Sequence, residues 1–103
     1  MGDGTKENPY TREDVLRLIE ENGGKAERLD LSRKIFEDKI NLRELHLEGI
    51  ILKDTFLGRA YLEGAYLRSA DIFDAHLEDV DWGNYILGEE KEGEKKGQSH
   101  FLN

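Results

Sequence analysis

The chain has 103 residues, 37% of them apolar, with no cysteine and a formal net charge of −8. This length predicts one domain with a modest core, and the lack of cysteine excludes disulfides, thiolate metal sites and a cysteine nucleophile. The acidity argues against direct nucleic-acid binding, because that binding needs Lys and Arg to neutralise phosphates. No apolar run approaches the roughly 20 residues that span a bilayer, so we expect no membrane association and a cytoplasmic location.

The first element in chain order is a helix. Residues 1–9 are polar and contain glycine, so we expect a flexible N-terminus, and residues 10–24 predict a capping helix. Thr11 is a good N-cap residue, and Asp14 stands at the third helical position of a capping box. Asn22 and the two glycines after it end the helix. The apolar stripe expected to cover the rest of the fold is Val15, Leu18 and Ile19.

Residues 25–89 contain an internal repeat with a period of five. This period matches neither a helix, with a period of 3.6, nor a strand, with a period of 2. A second series of apolar or small residues stands two positions earlier, and Lys39 shifts the register by one position. We predict that the repeat builds an interior ladder of Leu42, Leu47, Leu52, Leu57, Leu62, Leu67, Ile72, Leu77, Trp82 and Leu87.

Three pentads carry a family resemblance: Ala-Tyr-Leu-Glu-Gly at 60–64, Ala-Asp-Ile-Phe-Asp at 70–74 and Ala-His-Leu-Glu-Asp at 75–79. They resemble the units of pentapeptide-repeat proteins. The resemblance implies an all-β solenoid, namely a right-handed quadrilateral β-helix of about three coils with an N-terminal α-helical cap. It brings no catalytic residue with it. Residues 90–103 are charged and broken by glycine, which predicts a disordered tail.

A four-sided arrangement of pentads would place each residue next to the one four pentads later. Inside, Leu42, Leu62 and Trp82 would then stack, as would Leu57 and Leu77. Outside, the same spacing predicts three ion pairs between neighbouring coils: Arg43 with Glu63, Glu48 with Arg68, and Arg59 with Asp79.

No constellation in the sequence predicts catalysis, a cofactor or a metal. His46 and His76 fall on different sides of the repeat, whereas a metal site needs several convergent ligands. The acidic residues fall on outer faces, whereas paired catalytic carboxylates need a shared cleft. We therefore predict that the protein is not an enzyme. The alternative, an enzyme or a small-molecule binder, would require an interior cavity.

The outward positions of the repeat instead predict an interaction surface. Exposed aromatic residues are typical of contacts, although the same residues could simply pack over neighbouring polar side chains. The last coil also leaves an edge that a homodimer could cover. The candidate surface consists of Phe56, Tyr61, Tyr66 and Phe73 with the acids Asp71, Asp74, Glu78 and Asp79.

These observations favour a non-catalytic protein-interaction or scaffold module whose partner is unknown. The alternative comes from the family resemblance, since some longer pentapeptide-repeat proteins are similar to a DNA duplex in shape and charge and inhibit DNA gyrase. The acidic last coil supports that alternative. The short repeat and the basic residues Arg43, Lys53, Arg59 and Arg68 argue against it.

Overall fold

A computed structural model of the chain describes residues 1–83. This part of the chain contains one α-helix, α1, at Arg12–Glu21. A regular series of pentads follows from residue 26 onward. The tail at 90–103 and the last ladder residue, Leu87, lie outside the described residues.

Helix α1 begins with the capping box that its sequence predicts. The backbone N–H of Asp14 donates to the Thr11 hydroxyl, and the Asp14 carboxylate accepts from the Thr11 N–H at 2.9 Å. These bonds satisfy donors that a helix start otherwise leaves unpaired. The helix ends at Glu21 with Asn22 as its C-cap, and Gly23 and Gly24 follow at φ values of 78° and 80°.

Each pentad consists of one tight turn and one extended residue. In the unit that begins at Leu62, the Ala65 N–H donates to the Leu62 carbonyl oxygen at 3.0 Å. Gly64, the third residue of this turn, has a φ of 74°. A type II turn requires a positive φ at that position. Most turns place a residue other than glycine there: Arg28, Arg33, Lys39, Glu44, Asp54, Arg59, Ser69, Asp74 and Asp79.

The extended residue of each unit pairs with its counterpart four units later. For example, Leu42 N–H donates to the Tyr61 carbonyl oxygen, and Tyr61 N–H donates to that of Ile40, both at 2.9 Å. Four units therefore make one layer, and we define layer 1 as residues 26–46, layer 2 as 47–66 and layer 3 as 67–83. The parallel bridges form four columns: Asp30, Ile51 and Asp71; Ile35, Phe56 and His76; Asn41, Tyr61 and Asp81; His46 and Tyr66.

The predicted all-β solenoid, a right-handed quadrilateral β-helix, is wrong. The described residues hold one helix and no β-strand, and their parallel contacts are isolated bridges. The reason is local. In the repeat, a turn with a left-handed residue follows the bridged residues from Asp30 to His76. The extended backbone is therefore too short for a strand, which usually needs three residues or more. The period of five therefore describes stacked turns.

The extra residue in layer 1 lies next to the docking site of the N-terminal segment. Ile35 is bridged to Phe56 and Asn41 to Tyr61. The sequence separation is one position longer in the first bridge than in the second, so the insertion lies between Ile35 and Asn41, in the region of Lys39. Tyr10 docks beside this insertion. Its N–H donates to the Ile35 carbonyl oxygen, and its ring contacts Phe36 edge-on at 5.5 Å.

The segment before Tyr10 makes further backbone contacts. The Ile35 N–H donates to the Gly4 carbonyl oxygen at 2.8 Å, and the Gly2 N–H donates to the Asp14 carboxylate at 3.0 Å. The flexibility expected for residues 1–9 stays a prediction, and these bonds give that segment a defined place beside α1 and layer 1.

One apolar cluster joins the helix to the layers. Val15 is fully buried, and Leu18 and Ile19 pack against the cluster from α1. Thr55 is the buried polar residue of the interior series, and its hydroxyl donates to the Leu52 carbonyl oxygen at 2.8 Å. The buried ladder residues are Leu42, Leu47, Leu52, Leu57, Leu62 and Leu67.

The left-handed turn position is tested by a pair of glycines. We expect Gly64→Ala to lower the free energy of unfolding by about 1 kcal/mol, because alanine is strained at positive φ and its Cβ would lie 3.1 Å from the Glu44 Cγ. Gly58→Ala is the control, since Gly58 is outside the positive-φ set and a Cβ there meets nothing closer than 3.8 Å. Urea denaturation measures both. Equal losses would contradict the turn assignment.

The capping box predicts how stability depends on pH. Hydrogen bonds, above all from the Thr11 backbone, lower the pKa of Asp14 from 3.8 to about 2. A carboxyl group whose pKa is lower in the folded chain than in the unfolded chain stabilises the fold at pH values above its unfolded-state pKa. That contribution is lost as pH falls from about 4 towards 2. We expect Asp14→Asn to flatten this part of the stability profile, measured by denaturation at several pH values. An unchanged slope in the variant would contradict this role.

Candidate interaction surface

The outward aromatic residues lie in different columns and contact their own neighbours. The Phe56 ring stacks on His76 with centroids 4.4 Å apart, and the Tyr66 ring stacks on His46 at 4.3 Å. The Arg43 guanidinium lies over the Tyr61 ring at 4.2 Å. These stacks link adjacent layers along three columns.

The four aromatic residues therefore do not share one patch. Tyr61 and Tyr66 are partly buried, whereas Phe56 is 48% exposed and Phe73 is 65% exposed. Phe73 lies in the turn that leads to His76, on which Phe56 stacks. Of the predicted aromatic surface, Phe56 and Phe73 are the members most available to a partner.

The predicted ion pairs between layers form in one case out of three. Arg43 pairs with Glu63 at 3.6 Å, as predicted. Arg59 instead pairs with Asp38 through two hydrogen bonds of 3.1 and 2.7 Å, and this contact lowers the pKa of Asp38. Glu48 pairs with His46 at 3.3 Å, so the predicted salt bridge between Glu48 and Arg68 is wrong. The hydrogen bond with Asp38, and then the charges of Asp38 and Asp79, raise the pKa of Arg59. Asp79 therefore lies near Arg59 but does not form the predicted salt bridge.

The physical reason differs between the two wrong pairs. Asp38 belongs to the insertion in layer 1, whose residues fall outside the regular spacing of the repeat. Its carboxylate lies 2.7 Å from the Arg59 guanidinium and takes the position that the spacing predicts for Asp79. His46 lies two positions from Glu48 and is therefore a local partner. All these pairs are exposed to solvent, which screens their attraction, so they are weak determinants of stability.

The predicted acidic residues all lie in layer 3 and are exposed. Glu78 pairs with His76 at 3.4 Å. Asp71, Asp74 and Asp79 form no salt bridge with a described residue. No Lys or Arg occurs between residues 69 and 83, where Asp81 adds a fifth carboxylate.

Burial of the interior ladder decreases within the same layer, after Leu67. Leu57 is 2% exposed, Leu62 2% and Leu67 3%, whereas Ile72 and Leu77 are only partly buried. Sequence periodicity missed this gradient, because it assigns the same environment to every fifth residue. We name this end of the described stack the terminal face and define it by its partly buried apolar residues: Ala70, Ile72, Ala75, Leu77, Val80 and Trp82.

The opposite end is covered. Helix α1 and Tyr10 pack against layer 1, as described above, and the Arg12 guanidinium donates to the carbonyl oxygens of Asn41 and Arg43 at 2.8 and 3.3 Å. Among residues 1–83, the first and last layers of the stack are therefore covered to different extents.

A side cleft of about 320 Å³ opens between the end of α1 and the column of His46. Its walls carry both signs of charge, with Lys25 and Arg68 opposed by Glu27 and Glu48. His46 is already stacked on Tyr66 and paired with Glu48. Because the walls carry both positive and negative side chains, their charge favours neither an anionic nor a cationic ligand.

Residues 1–83 contain no group of three or more side chains placed to hold a metal ion. Within the same range, α1 is the one helix, and it is too short to cross a membrane.

Comparison with protein-family models, with curated proteins and with solved structures finds no match to this chain. The resemblance to pentapeptide repeats therefore stays a prediction from the sequence.

The burial gradient is tested by two matched substitutions at equivalent positions of layers 2 and 3. We expect Leu57→Ala to lower the free energy of unfolding by about 3 kcal/mol, as for a fully buried leucine. Leu77→Ala should cost about half as much, because part of that side chain already contacts solvent. Chemical denaturation of both variants measures the difference. Equal costs would mean that Leu77 is covered in solution.

Proposed function

We propose that this chain is a non-catalytic protein-interaction module built on five-residue repeats, and that it contacts its partner through the terminal face. A cytoplasmic location and a lack of direct nucleic-acid and membrane binding are part of this proposal. The observation that carries it is the drop in burial from Leu57 to Leu77 along one side of the stack.

The remaining surface supports a contact at this end. The aromatic residues of the side columns are engaged with His46, His76 and Arg43, so they already have neighbours within the chain. The terminal face combines apolar centres with a charged rim, which is the usual anatomy of a protein interface. Phe73, the most exposed of the predicted aromatic residues, belongs to the same layer.

The acidity of layer 3 also supports the second candidate, a mimic of DNA that modulates a DNA-binding enzyme such as DNA gyrase. The five exposed carboxylates at residues 71–81 present a negative surface, with Arg68 as the one basic residue of the described layer. Layers 1 and 2 lack that character, because Arg43 and Arg59 neutralise acids there. The single acidic layer fits a contact with a protein partner better than an extended duplex-like surface.

We expect a partner captured from lysate by the immobilised full chain to be lost with the double variant Ile72→Ser and Leu77→Ser. The reason is that these substitutions remove apolar contact area from the terminal face. The matched control is Tyr61→Ser with Tyr66→Ser, which alters two side columns and should retain the partner. Circular dichroism confirms that each variant is folded.

The opposite pattern, with loss in the tyrosine variant and retention in the Ile72 and Leu77 variant, would contradict the proposed surface and return the contact to the side columns. The same proteins are added to a gyrase supercoiling assay. Inhibition by the wild-type chain, abolished when the acids of layer 3 are replaced by amides, would favour the DNA-mimic candidate instead.

A further inference from the structure

The loop that connects α1 to layer 1 is closed by the side chain of Asn22. Its amide nitrogen donates to the Lys25 carbonyl oxygen at 2.7 Å and to the Glu27 carbonyl oxygen at 3.2 Å. Between these two acceptors, Ala26 is only 4% exposed and belongs to the apolar cluster. The Asn22 amide therefore fixes the loop at the point where the buried part of the stack begins.

Asn22 is followed directly by Gly23, and this pair has a specific reactivity. The Gly23 backbone nitrogen can attack the Asn22 Cγ, since glycine has no side chain to hinder the approach. A carbon–nitrogen bond forms, and the side-chain nitrogen leaves as ammonia together with the proton of the Gly23 N–H. Water then opens one of the two carbonyl groups of the cyclic succinimide. The product is aspartate or isoaspartate, and nothing is oxidised or reduced.

The surroundings of Gly23 leave the attacking nitrogen accessible when the helix end opens. Gly23 and Gly24 are exposed, and a Cβ at either position would meet nothing within 4 Å. The Gly23 N–H donates to the Glu20 carbonyl oxygen at 3.2 Å, at the long end of the hydrogen-bond range. Helix ends fray and open more readily than a core. Such an opening releases the nitrogen for attack.

The closed loop slows the same reaction. The nitrogen that leaves as ammonia is the one that donates to the Lys25 and Glu27 carbonyl oxygens. Both hydrogen bonds must therefore break before Asn22 can be converted. The rate of conversion in the folded chain then depends on how often the loop opens.

The product no longer closes the loop. A carboxylate accepts hydrogen bonds and cannot donate them, so an aspartate at position 22 would repel the two carbonyl oxygens that the amide now binds. It would also add negative charge beside Glu20 and Glu21, in a helix whose last turn has no basic residue. Negative charge at a helix C-terminus opposes the helix dipole. Isoaspartate would in addition lengthen the backbone of the loop.

We propose that Asn22 is a site of spontaneous deamidation in the folded chain, and that the product destabilises the connection between α1 and layer 1. This inference goes beyond the proposed function and is independent of the terminal face, because its chemistry involves residues 20–27 alone. The co-reactant is water, so no enzyme is required.

The full chain is incubated at mildly alkaline pH, digested with trypsin at mildly acidic pH, and analysed by peptide mass spectrometry. The peptide of residues 18–25 contains Asn22, and that of residues 40–43 contains Asn41. Asn41 is the internal control, because the bulky Leu42 follows it. We expect aspartate and isoaspartate to accumulate at position 22 while Asn41 stays an amide.

The same incubation in urea measures the effect of the loop. We expect Asn22 to be converted faster in urea, because unfolding removes both hydrogen bonds of its amide. Conversion in urea with none in buffer would overturn the inference, since the folded loop would then protect Asn22 fully. Equal rates in urea and buffer, or equal conversion of Asn22 and Asn41 in the folded chain, would overturn it as well.

Two variants of equal net charge test the consequence for the fold. Asn22→Asp should lower the melting temperature by about 5 °C, as expected for a lost hydrogen bond in a domain of this size. Asn41→Asp is the matched control and should lower it less. The Asn41 side-chain oxygen accepts from the Arg43 N–H at 3.0 Å, and a carboxylate can accept the same bond.

Hydrogen exchange adds a local measurement that a general loss of stability would not reproduce. The Arg28 N–H donates to the Gly49 carbonyl oxygen at 2.9 Å, directly after the loop. We expect the Arg28 amide to exchange faster in Asn22→Asp than in Asn41→Asp. Equal melting temperatures of the two variants, or equal exchange at Arg28, would overturn the proposed effect of the product.

Discussion

The pairing of one extended residue with its counterpart four units along the chain is the contact on which the rest of the structure depends. It requires each unit to turn the chain tightly, and a left-handed backbone at the third turn position accomplishes that. These bridges join each layer to the next, and the residue that follows each bridged residue points inward and forms the apolar ladder. Stability is therefore shared between backbone bonds and leucine packing.

Within residues 1–83 the first and last layers of the stack differ in how their apolar residues are covered. Tyr10, the insertion near Lys39 and helix α1 together cover layer 1, where the capping box with Asp14 secures the helix start. Layer 3 carries partly buried apolar residues and five exposed acids. The difference in cover, more than any single side chain, supports the terminal face as the site of interaction.

Part of this arrangement could be predicted from the sequence. Thr11 and Asp14 predict the helix start, because capping is local chemistry, and the register shift near Lys39 is visible in the repeat. The ion pairs were less predictable, since Asp38 in the insertion displaces Asp79 as the partner of Arg59. The outward aromatic residues could be named, but their stacking on histidines in separate columns depends on contacts between successive layers.

The sequence by itself determined the period of five, the inward position of residues such as Leu42 and Leu62, and the concentration of acids after Arg68. Only the tertiary structure decided that the period makes turns with isolated bridges rather than β-strands, because backbone φ values at positions such as Glu44 and Asp54 are not encoded by hydrophobic pattern. It also decided which end is covered. Burial depends on what packs against a residue, and Leu57 and Leu77 occupy the same place in the repeat with different neighbours.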